Sequence, residues 1–215
     1  MHRTTQHGSH GLRLDRRSPP RQLVRGTDIR AFYGGPGEIV YMGEDRRLYR
    51  MKEDGSGIEM ISPDRVAYLS MVSPDGRWAV VILPQASNGA GTTSLWFMSL
   101  RGEKSFEVCN GACTVGPRSF LGAPPFAWST DGKRLFVNLV YFGKSTQRTV
   151  VLPYRSSASP ETLWPKGLQV EKDIAANPGA EVINAGRTSP ASDAAAYLSW
   201  RNSTQSNLYR VRIPE

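Results

Sequence analysis

Histidine is nearly missing from this chain. The three present, His2, His7 and His10, all stand within the first ten residues, and none follows up to residue 215. Their absence from the rest removes the commonest general base, the Ser-His-acid and Cys-His nucleophile systems, and the commonest nitrogen ligand for metals. Cysteine is scarcer still, with only Cys109 and Cys113, in "CNGAC". A zinc site would need two further ligands, and no other His or Cys is available beyond the tail. The pair is a candidate short-loop disulfide in an oxidising compartment or two free thiols in a reducing one, and both alternatives stay open. No cofactor or metal is expected. Long apolar runs are missing too: no stretch approaches the roughly 18 residues needed to span a bilayer, and the first 26 residues contain no apolar h-region. Neither a membrane span nor a signal peptide is therefore expected in this chain.

What is present is an ordinary globular composition, 39% hydrophobic and 21% charged, with a formal net charge of +8. The charge is unevenly placed. Six arginines (Arg3, Arg13, Arg16, Arg17, Arg21, Arg25) face one acid, Asp15, so residues 1–26 hold +5 of it. A basic arm can bind phosphates by releasing counterions, but a solvated polar terminus has the same composition and is far commoner. Residues 1–26 are expected to be a basic disordered tail, residues 27–215 the folded domain, and nucleic acid is not expected as a partner.

The folded part repeats itself. "SPDGRWAVVIL" runs from Ser73 to Leu83, and "STDGKRLFVNL" follows from Ser129 to Leu139. Ser73, Pro74, Asp75 and Gly76 suit the four positions of a type I turn, with Pro fixing φ at the second and Gly free at the fourth. Ser129, Thr130, Asp131 and Gly132 repeat the pattern. The runs after each turn are β-branched and aromatic and almost continuously apolar, which predicts strands covered on both faces. Downstream lie "LYRMK" (48–52), "LWFMS" (95–99), "TVVLP" (149–153) and "LYRVR" (208–212), with short alternating stretches after the first two. The unit reads strand, turn, strand, loop, strand, turn, strand, and four antiparallel strands at a period near 45–60 residues are the pattern of a β-propeller blade. An all-β fold of about four four-stranded blades is expected. The first is counted as partial because its turn is only "GGPGE", so the propeller is expected to be incomplete or open and prone to self-association at its edges.

On these motifs residues 31–215 resemble the WD-repeat-like β-propeller repeats of TolB-type bacterial proteins, repeats also appended to bacterial serine/threonine kinases. The match is carried by Ser73–Leu83, Lys52–Ile58 and Phe126–Val137. It is weakest at "TSPASDAAAYLSW", where the turn glycine is missing and Ser192 stands near its place. The resemblance implies a bacterial, non-catalytic binding or scaffolding module that takes a protein or small ligand at a propeller face. It also favours a periplasmic or extracytoplasmic location. The alternative is a fragment of a larger protein, as the sensor propeller of a kinase or the accessory propeller of a prolyl-oligopeptidase-type peptidase, although the latter's Gly-x-Ser-x-Gly elbow is absent. Asp75 and Asp131 could form a paired carboxylate site, but recurrence at the blade period makes a turn role the more natural. No catalytic residue is expected.

Overall fold

The computed structural model describes residues 21–26, 29–84, 93–110, 126–139, 148–156, 158–168, 171–185, 188–191 and 196–199. The first sheet is an antiparallel meander of β1 (Arg30–Tyr33), β2 (Glu38–Met42), β3 (Leu48–Lys52) and β4 (Glu59–Ser62). The second repeats it with β5 (Tyr68–Val72), β6 (Trp78–Pro84), β7 (Thr93–Ser99) and β8 (Phe106–Asn110). The third contains β9 (Phe126–Trp128), β10 (Arg134–Asn138), β11 (Thr149–Pro153) and β12 (Glu181–Ile183), and β13 (Thr188–Pro190) pairs with β14 (Tyr197–Ser199) in a final hairpin. The protein is thus an all-β array of propeller-type blades. The first blade is not partial, as its turn had suggested: glycines at 34, 35 and 37 turn β1 into β2 as effectively as the Asp-Gly turns do, with Gly34 N–H donating to Glu38 O at 2.9 Å. It is the fourth blade that is represented by two strands among the described residues.

Alternation on the strands decides which neighbour each sheet meets. In β6, Trp78, Val80 and Ile82 join a core shared with Phe126, Leu135, Val137, Val150 and Leu152 of the third sheet. Ala79 and Val81, pointing the other way, join Val40, Met42 and Leu48 of the first sheet. Both faces of the second sheet are therefore dry, which is why its sequence is continuously apolar rather than alternating. Each such side chain contributes about 1.5–3 kcal/mol on burial.

Two short helices, which the strand pattern did not indicate, interrupt the third blade between β11 and β12: α1 (Pro160–Leu163) and α2 (Glu171–Ala175). Ser159 caps α1 by accepting from Thr162 N–H at 3.3 Å, and Pro160 opens the helix. Together they deliver Trp164, Leu168 and Ile174 to the core beside Phe97. Asn138 ties the fourth blade to the third. Its side-chain amide donates to Thr188 O (3.1 Å) and accepts from Thr188 N–H (2.9 Å), standing in for a strand partner.

Between sheets, β5 meets both β1 and β2, and β13 meets both β9 and β10. First strands thus take part in each of these approaches, and β1, β5, β9 and β13 are termed the inner rim. Of the tail expected over 1–26, residues 21–26 are described, and Leu23 lies half-buried beside Gly55. Among the described residues no helix is long and apolar enough to cross a membrane.

Candidate functional site

Two sets of polar groups could carry function: the repeated turns and the inner rim. In the first turn Gly76 N–H donates to Ser73 O (2.9 Å), and Ser73 N–H donates to Trp78 O (2.8 Å). Ser73 Oγ donates to Asp75 Oδ1 at 2.5 Å and accepts from Trp78 N–H at 2.9 Å. The second turn repeats the bonds: Ser129 Oγ donates to Asp131 Oδ1 at 2.5 Å, and Lys133 N–H donates to the same oxygen at 3.1 Å. These bonds, that from Ser129 foremost, hold the Asp131 carboxyl below the usual carboxylate range. Gly76 and Gly132 have φ of 64° and 67°, which admits glycine readily and other residues at a cost.

The turns also touch. A Cβ on Gly76 would strike Gly34 O in the first blade, and one on Gly132 would stand 3.2 Å from Pro74 Cβ in the second. Each turn nests against the one before it. Across the second and third blades, Tyr154 donates its hydroxyl to Asp75 Oδ2 at 2.9 Å. Burial, then the nearby carboxylate, pushes the Tyr154 phenol well above its ordinary value. Arg77 clamps Glu103 through Nε and Nη2 and bonds Ser156 O with Nη1. Arg101 reaches back to Glu38 (2.5 Å) and Gly34 O (3.2 Å) of the first blade. Both oxygens of Asp75 are engaged, and Asp131 serves its own turn. Neither is arranged as a free acid or base.

Cys109 pairs with Leu95 in the β7–β8 ladder, while its side chain and Cys113 lie outside the described residues, as do Ser192, Trp200 and "LYRVR". Among the described residues no group of three or more His, Cys, Asp or Glu could hold a metal ion. The last turn starts later than its Ser-Pro pair suggests. Ser189 and Pro190 belong to β13, and Ala191 N–H bonds Ala196 O in the slot that Ser73 and Ser129 fill elsewhere.

The inner rim was not singled out by sequence. Its four strands, "RAFY", "YLSMV", "FAW" and "TSP", hold one charged residue, Arg30. The Arg30 guanidinium carbon sits 3.8 Å from the centre of the Tyr68 ring on the neighbouring blade. Its Nε is buried without a hydrogen-bond partner, as are Ser70 Oγ and Trp128 Nε1, so three of the four such side-chain donors among the described residues fall on β1, β5 and β9, and the fourth, Trp78 Nε1, on β6. Ser70 is only 8% exposed and sits where the β5–β6 register shifts, at a bulge. The signal available in the sequence was a single cation in strands otherwise apolar or small and neutral.

No family model matches the chain, and no curated protein matches it. Among solved structures, it is similar to TolB from Acinetobacter baumannii at 10% identity and a TM-score of 0.39, over 61% of this chain and 30% of that one. A structural genomics protein of unknown function from Bacteroides thetaiotaomicron is similar at 13% identity and a TM-score of 0.31, over 60% of this chain and 29% of the other. The chain thus spans less than a third of the length of either solved structure.

Proposed function

We propose that the chain is a non-catalytic β-propeller binding module of the TolB type that takes its ligand along the inner rim of first strands. The observation that carries this reading is the division of polar groups. The recurring carboxylates are engaged in turns and blade junctions, whereas three of the four buried side-chain donors without partners among the described residues fall on β1, β5 and β9, the fourth being Trp78 Nε1 on β6. Unpaired buried donors cost about 1–3 kcal/mol each, and a ligand with acceptors would recover that cost. The lack of histidine beyond position 10 and of a nucleophile elbow supports the absence of catalysis.

A peptide-display selection on the purified chain tests the module, followed by hydrogen exchange with the selected peptide bound. Protection of amides in β1, β5 and β9 is expected. Protection confined to the outer strands β4, β8 and β12 would contradict the site. Turnover of peptide or ester substrates, abolished by a substitution within residues 27–215, would contradict the absence of catalysis.

A further inference from the structure

The ligand chemistry of the rim can be narrowed, and the narrowing rests on the binding reading above. Arg30 is half-buried, yet no carboxylate or carbonyl among the described residues pairs with it. Its Nε is shut away without a hydrogen-bond partner. Stacking on Tyr68 holds the planar group in place before any ligand arrives. No acid stands on any first strand to compete for it. Four arginines outside the first strands are matched to acids, Arg77 with Glu103, Arg101 with Glu38, Arg50 with Glu59 and Arg148 with Glu171. Arg30 is part-buried without such a match, and Ser70, two residues beyond Tyr68, adds a buried hydroxyl that also lacks a partner.

We propose that the seam between β1 and β5 is a carboxylate-binding site, with Arg30 as the bidentate anchor through its Nη edge and Ser70 as an additional donor. A guanidinium fork matches a planar carboxylate in geometry as well as charge. The carboxylate can belong to an acidic peptide side chain or to a free organic acid, and the two sources separate experimentally.

The test is a nuclear magnetic resonance titration of the full 15N-labelled chain, following the Arg30 Nε–H signal and the backbone amides of β1 and β5. The probes are succinate, a capped Glu-containing peptide, its Gln counterpart and inorganic phosphate. The Glu peptide is expected to shift these signals and to bind about tenfold tighter than the Gln peptide, as a charge-assisted pair requires. Succinate shifting the signals as strongly would identify a free acid as sufficient; succinate silent beside an active Glu peptide would identify an acidic peptide. Arg30→Gln should weaken binding about tenfold, Arg30→Lys by an intermediate factor, and Ser70→Ala should weaken binding without lowering the melting temperature. Equal binding of the Glu and Gln peptides would overturn the carboxylate inference while leaving the binding module standing. Tighter binding of phosphate, or a flat titration with every probe, would overturn it too. The Glu–Gln comparison needs no variant, so a poorly folding Arg30→Gln chain does not blunt it.

Discussion

Tyr154 donates its hydroxyl to Asp75 across the junction of the second and third blades, at 2.9 Å. Leu100 holds the same place one blade earlier: Leu100 N–H bonds Arg77 O as Tyr154 N–H bonds Lys133 O. Leu100 faces the first blade, whose turn is "GGPGE" and offers no aspartate in that slot. A tyrosine therefore stands where the preceding turn supplies an acceptor, and a leucine where it does not. Tyr154→Phe and Asp75→Asn should each cost about 1–3 kcal/mol, with a coupling near 1 kcal/mol in a double-mutant cycle. Urea unfolding of the four chains measures it, and strictly additive costs would separate the two residues.

The same bond sets an alkaline limit. The folded chain holds the Tyr154 phenol above its ordinary value, whereas the unfolded chain releases the proton near pH 10. The stability this confers is fully present below about pH 10 and is lost as pH rises from there through the raised folded value. Wild-type stability should fall above pH 10 more steeply than that of Tyr154→Phe, which lacks the group. Parallel profiles from pH 8 to 11 would remove Tyr154 as the cause.

The nested turns rank two glycines. Alanine at either Gly76 or Gly132 meets a positive φ costing roughly 1–2 kcal/mol. At Gly76 the new methyl would also strike the backbone carbonyl of Gly34, whereas at Gly132 it would meet the Pro74 ring at 3.2 Å. Gly76→Ala should be the more destabilising by about 2 kcal/mol or more, since a backbone cannot move aside as a side-chain edge can. Denaturant midpoints of the two variants decide it, and equal losses would mean that the first and second turns do not nest.

The strand order of the second and third blades was legible because each blade announces itself locally, by an Asp-Gly turn and a run of β-branched residues at a fixed distance. The first blade was undercounted because glycines and a proline, with no aspartate, make its turn. Helices α1 and α2 escaped notice for a different reason: four and five residues are too few to show a helical period. Only "SPETL", with a capping serine before a proline, marked the first of them. The pairing of Tyr154 with Asp75 joins residues 79 positions apart. It becomes visible only once the registers of two blades are superposed. Arg30 was overlooked because a lone cation in a short strand is unremarkable until the strand is known to be innermost.

Stacking of successive blades is the feature on which turns, rim and junction all depend, and Phe97 reports it most directly. Its ring lies 5.5 Å from that of Phe126 and 5.4 Å from that of Trp164, both supplied by the third blade. A nuclear Overhauser spectrum with selectively labelled phenylalanine and tryptophan should show cross-peaks from Phe97 to both rings, each lost in Phe97→Leu. Absence of both cross-peaks in a chain that retains its β-sheet signal would contradict the stacked, propeller-type arrangement.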